Sequence, residues 1–235
     1  MKTLGMIGGM SWQSTVPYYE IANRVVAERL GGLHSAKILL LSVDFDELAA
    51  LMHDGRWEEA GEKLAADAAT LESAGAQLLV LCTNTLHRVA PQIEARVRIP
   101  FLHIADCAAR AIQQTGARRV GLLATRFTME QPFYTERLAS HGIDSVVPEE
   151  EDRAILHRII FDELCVGRVE ESSRGELRRI ATALVARGAQ SVLLACTELA
   201  MGLAPADVPF RLFDTTALHA REAALRATET SDPLR

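Results

Sequence analysis

Gly75-Ala76-Gln77-Leu78-Leu79-Val80-Leu81-Cys82-Thr83-Asn84 and Gly188-Ala189-Gln190-Ser191-Val192-Leu193-Leu194-Ala195-Cys196-Thr197-Glu198 are one passage written twice. Each opens on Gly-Ala-Gln, crosses an apolar run of strand length, and ends at Cys-Thr followed by a polar residue. The second copy lies 113 residues on at the glycine and 114 at the cysteine. Two further pairs keep the order. Gly5-Met6-Ile7-Gly8-Gly9 returns as Gly121-Leu122-Leu123-Ala124-Thr125, 116 residues later. Pro100-Phe101 with Asp106 returns as Pro209-Phe210 with Asp214, offset by 109 and 108. Matches in one order at nearly one spacing indicate duplicated halves.

Outward from the repeat, short apolar runs at 4–7, 38–43, 77–81, 120–123 and 191–195 alternate with helix-period stretches at 17–29, 57–73, 129–140 and 173–187. Runs apolar on both faces and separated by helices predict parallel strands covered on both sides. The expected fold is therefore α/β: two similar Rossmann-like halves related by a pseudo-twofold, with the active site in a cleft between them. The predicted division gives residues 1–112 plus 209–235 to a first domain and 113–208 to a second. A polar tail is expected from about Ala227.

Composition narrows the function. A net charge of −6 over 235 residues, with no Lys/Arg cluster, argues against nucleic acid as a partner. No apolar stretch approaches the roughly 18 residues of a membrane span. The start, Met1-Lys2-Thr3-Leu4-Gly5-Met6-Ile7, reads as a buried strand and not as a signal peptide. Four cysteines without CxxC spacing fit a reducing cytoplasm, where the protein is expected to work, and neither a zinc site nor a disulfide framework.

Ligands of parallel sheets bind beyond the carboxyl ends of strands, where both Cys-Thr units are expected. Cys82 opens the polar run Cys82-Thr83-Asn84-Thr85. Ahead of a helix, backbone N–H groups and the helix dipole would lower its pKa toward neutrality. Cys107 and Cys165 have no counterpart in the other half and read as structural. Gly8-Gly9-Met10-Ser11 lacks the spacing of a dinucleotide loop. It suits a tight turn that admits a small anion, with Ser11 or Thr15 capping a helix that begins near Pro17. The seven histidines are scattered and form no nucleophile motif. Asp44, Asp46, Glu47, Asp106, Asp214 and Glu198 are the acids near strand ends; Glu198 is best placed to orient a substrate ammonium or tune a thiol. These residues admit two-sided proton transfer at carbon. They also admit a cysteine-dependent isomerase or decarboxylase of a small dicarboxylate, a two-lobed ligand-binding protein, or a dithiol redox sensor.

On these motifs the chain resembles the aspartate/glutamate racemase family, within the group that holds glutamate racemase, hydantoin racemase, maleate isomerase and arylmalonate decarboxylase. The resemblance rests on Gly8-Gly9-Met10-Ser11-Trp12, Ser14-Thr15, Cys82-Thr83-Asn84-Thr85, Phe101-Leu102-His103-Ile104-Ala105-Asp106 and Cys196-Thr197-Glu198. Leu33-His34-Ser35-Ala36, Ser42-Val43-Asp44-Phe45 and Ile160-Phe161-Asp162-Glu163-Leu164-Cys165 are similar to the broad-specificity amino-acid racemase branch. It implies a racemase that uses no cofactor and no metal, forms a homodimer and takes an amino acid as its small-molecule substrate, with Cys82 and Cys196 as the acid/base pair. It also implies a substrate carboxylate among Asn84, Thr85, Thr125 and the Gly9-Met10-Ser11 loop, and Thr83, Thr197 and Glu198 are expected as further substrate-binding residues beside the thiols. Aspartate-type members carry a lysine where Cys165 stands and an arginine that Val43–Leu48 lacks. Strict specificity for acidic side chains is therefore not expected.

Overall fold

The computed structural model describes residues 1–229. Its strands are β1 (Leu4–Gly8), β2 (Ile38–Ser42), β3 (Leu78–Leu81), β4 (Phe101–Leu102), β5 (Arg119–Ala124), β6 (Asp144–Val146), β7 (Ser191–Ala195) and β8 (Leu212–Asp214). The helices are α1 (Trp12–Leu30), α2 (Phe45–His53), α3 (Trp57–Ser73), α4 (Ala90–Arg96), α5 (Ile104–Gln113), α6 (Arg126–Glu130), α7 (Pro132–Ser140), α8 (Glu150–Asp162), α9 (Glu171–Ala186), α10 (Leu199–Gly202) and α11 (Thr215–Thr228).

Two parallel four-stranded sheets result, ordered β2-β1-β3-β4 and β6-β5-β7-β8. The topology is the same in both, so the duplication seen in sequence is a duplication of fold. The central strands β1, β3, β5 and β7 are buried almost throughout, as all-parallel sheets flanked by helices require. Among the described residues no helix is long and apolar enough to cross a membrane.

The repeated Gly-Ala-Gln has a structural task. Gly75 (φ +99°) and Gly188 (φ +94°) turn the chain out of α3 and α9 in a conformation that favours glycine. Ala76 and Ala189 are buried behind them. The Gln77 amide oxygen then accepts the Thr3 N–H at 3.0 Å, ahead of β1. That of Gln190 accepts the Arg118 and Arg119 N–H groups at 2.8 and 3.1 Å, ahead of β5. In each half the glutamine of the inner strand clasps the start of its neighbour.

The division of the chain differs from the predicted one. One unit holds residues 1–82, 89–103 and 219–235, and the other 83–88 and 104–218. Helix α5 leaves the first unit because Ile104, Ala105, Ala108, Ala109 and Ile112 are buried in the second unit's core. Strand β8, which was assigned to the first, pairs with β7 in the second: Val192 with Leu212, Leu193 with Phe213, Leu194 with Asp214. The chain returns along α11, where His219 donates from Nε2 to the Leu102 carbonyl (2.8 Å) and pairs through Nδ1 with the Tyr18 hydroxyl (2.9 Å). Ala227 is buried in α11, and the Lys2 N–H reaches its carbonyl at 2.7 Å. The rest of the expected tail, residues 230–235, lies outside the described residues.

Candidate active site

In the first unit β1 ends in a turn that only glycine suits. Gly9 has φ +93°, and a Cβ there would stand 2.4 Å from the Val43 carbonyl oxygen. Its N–H donates to Thr15 Oγ1 (2.9 Å), while the Ser14 and Thr15 hydroxyls donate to the Ser11 carbonyl at 3.0 and 2.9 Å. Met10 and Ser11 are buried. Ser11 occupies the N-cap position of α1, which starts at Trp12, five residues before Pro17. Thr15 accordingly lies inside the first helical turns, where its hydroxyl ties the loop to the helix. Cys82 follows β3 directly; its N–H donates to the Ile7 carbonyl at 2.8 Å, which sets it beside Gly8.

The second unit gathers more of the expected residues. Ala124 pairs with Ala195, so Thr125 and Cys196 emerge side by side from β5 and β7. Residues 83–88 belong to this unit and bring Asn84 and Thr85 to the same sheet end. Thr85 Oγ1 lies 2.9 Å from Thr125 Oγ1 and 3.1 Å from Thr128 Oγ1, and the last two are 3.2 Å apart. Asn84 accepts from the Tyr134 hydroxyl (2.9 Å) and donates to Thr215 Oγ1 (3.0 Å), which in turn donates to the Leu194 carbonyl (2.8 Å). Thr83 presents its carbonyl to His87 Nδ1 at 2.7 Å, and His87 Nε2 accepts the Ile104 N–H at 3.2 Å. The set of bonds fixes His87 as a neutral strut.

Beyond β7 the Cys196 thiol donates to Glu198 Oε2 at 3.2 Å, and the Thr197 hydroxyl donates to the same oxygen at 2.7 Å. All three residues are buried. Thr216 Oγ1 donates to the Thr197 carbonyl at 3.4 Å. The two halves thus each end their inner strand in a buried cysteine followed by hydrogen-bonded threonine and a third polar residue. That residue is an amide in one half and a carboxylate in the other.

The family profile described as Asp/Glu/Hydantoin racemase matches residues 7–223. The chain belongs to this family. A crystal structure of a candidate Asp/Glu racemase from Yersinia pestis is 49% identical, covers 97% of this chain and 100% of its own, and superposes with a TM-score of 0.90. An aspartate racemase homologue from Pyrococcus horikoshii OT3 is 33% identical over the same shares, with a TM-score of 0.83. A Picrophilus torridus aspartate racemase, at 20% identity over 97% of this chain and 94% of its own, shares the fold with a TM-score of 0.76.

At Cys82 the expectation of a lowered thiol pKa is overturned. Burial pushes the Cys82 thiol far above its ordinary range. Burial, then the Glu198 charge, then Cys165, do the same to Cys196. Cys82 does not meet the helix start that was expected to lower its pKa. A 3-10 turn, Thr85–Val89, follows Cys82, and α10, after Cys196, has only four residues. Cys165, in the turn Leu164–Val166, is held up by burial and then by Glu198. It packs against the core of the second unit, in keeping with its structural reading. Cys107 fits its structural reading: it is buried and accepts from Arg110 Nη2 at 3.3 Å.

The other acids near strand ends have local tasks. Asp44 caps α2, Asp214 accepts the Thr216 N–H at 2.9 Å, and Asp106 holds the Arg137 guanidinium through two bonds of 2.6 and 2.7 Å. Among the described residues no three His, Cys, Asp or Glu side chains gather as a metal site needs. Tyr134, Thr128 and Thr215 went unread in the sequence. Tyr134 carried no signal, being one aromatic in an amphipathic helix. Thr215 carried a faint one, as a polar pair following a strand.

Proposed function

We propose that the protein is a cofactor-independent amino-acid racemase in which Cys82 and Cys196 move the α-proton. The observation that carries this reading is that one topology, repeated, ends the same inner strand in a buried Cys-Thr in both halves. One thiol, as thiolate, takes the proton from Cα; the other, still protonated, returns a proton to the opposite face. The roles exchange for the other enantiomer. The scheme requires one thiol on each face of the substrate carbon. A million-fold acceleration calls for about 8 kcal/mol of transition-state stabilisation. Hydroxyl donors such as Thr85 and Thr125, with the Gly9-Met10-Ser11 backbone, would bind the carboxylate as charge develops on it. Buried thiols suit the chemistry once formed: a thiolate in a dry site is a strong base.

Neutral side chains are the better substrates on this reading. A cysteine, and not a lysine, stands at position 165, and residues 43–48 hold Asp44, Asp46 and Glu47 with no basic group. The active form is a homodimer, to be measured by light scattering on a sizing column. The decisive assay incubates the protein in D2O with single-enantiomer amino acids, following the α-proton by NMR and the optical rotation. Exchange with inversion supports racemisation, and silence across the panel from reduced, folded protein refutes it. In Cys82→Ser and Cys196→Ser, inversion is lost while exchange persists from one enantiomer only, opposite enantiomers in the two variants. Full racemisation by either variant would remove the two-cysteine scheme.

A further inference from the structure

Cys196 is hydrogen-bonded through its sulfur to a carboxylate. Its thiol, 6% exposed, points at Glu198, 2% exposed, across 3.2 Å, and Thr197 fixes the accepting oxygen from the other side at 2.7 Å. At Cys82 the residue two places on is Asn84, whose carboxamide is engaged by Tyr134 and Thr215. We propose that Glu198 is a positioning residue that keeps the proton on Cys196, so that the resting enzyme carries its thiolate, when it has one, on Cys82. This rests on the racemase reading and deepens it, because it fixes which thiol begins as acid and which as base.

The chemistry follows from charge. Ionising Cys196 beside Glu198 would place two negative charges within hydrogen-bond distance in a buried setting, a costly state. With the proton on sulfur, the same contact is a charge-assisted S–H···O bond. When Cys196 gives its proton to the α-carbon, the thiolate left behind faces Glu198 and recovers a proton readily, from the next substrate of the other hand or from water. In the turnover one C–H and one S–H bond break and one of each forms; recovery through water breaks an O–H bond at Cys196 and remakes one as Cys82 gives up the proton it took. The titratable groups acting on Cys196 are Glu198 and Cys165, both of which oppose its ionisation.

The test reads the thiols one by one and needs no turnover. Wild type, Glu198→Gln and Glu198→Asp are alkylated with iodoacetamide at pH 8, and the four cysteines are quantified by peptide mass spectrometry. The Cys196 rate is normalised to that of Cys82 in the same molecule. Glu198→Gln keeps the size and the acceptor and removes the charge. The normalised rate should then rise about tenfold, the consequence of a one-unit fall in thiol pKa. Glu198→Asp, which keeps the charge, should stay near wild type, and buried Cys107 should stay slow in all three. An unchanged Cys196 rate in Glu198→Gln overturns the proposal, as does an equal rise in Glu198→Asp or at Cys107, which would signify loosening. If Glu198→Gln does not fold, Thr197→Val serves. Removing the competing donor strengthens the thiol's bond to Glu198, so the Cys196 rate should fall, and a rise overturns the idea. A protein that racemises nothing can still show this pattern, so failure here and failure of the racemase reading are separate results.

Discussion

A thiol that is buried in the fold and exposed on unfolding links stability to pH. Cys82 and Cys196 hold their protons far more tightly folded than unfolded, where a thiol titrates near pH 8.5. A group whose folded pKa is raised contributes stability that is complete below the unfolded pKa and is lost as pH rises past it. The urea midpoint should therefore fall between pH 8 and pH 10, and fall less in Cys196→Ser. A midpoint that climbs over that window would contradict the burial assigned to the thiols. If the thiols carry the α-proton as proposed, racemisation should speed up over the same range, because the thiolate fraction grows. Tyr134 offers a second residue-scale check. Tyr134→Phe removes the donor to Asn84 Oδ1 inside a buried chain that runs on to Thr215 and Leu194. The loss should be about 1–3 kcal/mol, the usual cost of an unsatisfied buried group, measured by chemical denaturation. If Asn84 serves the substrate, KM should rise in the same variant.

Among the elements, the matched glutamines are the natural experiment. Gln77→Ala frees the Thr3 N–H ahead of β1, and Gln190→Ala frees those of Arg118 and Arg119 at the start of β5. Because both sites reach water, each should cost only about 0.5–1 kcal/mol, and the double variant should show the sum, since they share no partner. A double variant that departs from the sum would mean that the two strand starts are coupled. The elements were largely legible: 57–73 and 191–195 were read with the bounds that α3 and β7 have. Apolar periodicity is strong where an element is buried on one side or on both. It failed where a local residue overrode it. The predicted helix 129–140 is two, α6 and α7, parted at Gln131-Pro132, because a proline cannot continue a preceding helix. Pairing Pro100-Phe101 with Pro209-Phe210 was also misleading. Phe101 lies opposite Leu79 and Phe213 opposite Leu193, each three residues before its cysteine. Phe213, and not Phe210, is the counterpart, and Asp106 in α5 has none in Asp214 at the end of β8.

Across the whole molecule the chain changes unit at residues 82/83, 88/89, 103/104 and 218/219. Such exchange leaves no local mark in composition, which is why the division was misjudged while the repeat was read. A fragment of residues 113–208 lacks α5, whose Ile104, Ala108 and Ile112 are buried, and lacks β8. It should stay unfolded by circular dichroism, and a fragment of 113–208 that folds cooperatively would disprove the division. The two Cys-Thr units were legible because the same residues stand at matched strand ends in both halves. The carboxylate on Cys196 was less so, since Asn84 and Glu198 differ at matched positions and only the structure shows what each one faces. That difference has a chemical meaning. Two copies of Cys-Thr-Asn would give both thiols the same neighbour two residues on. With Cys-Thr-Glu in one half and Cys-Thr-Asn in the other, only one of two like thiols meets that negative charge, and a matched pair is no longer interchangeable.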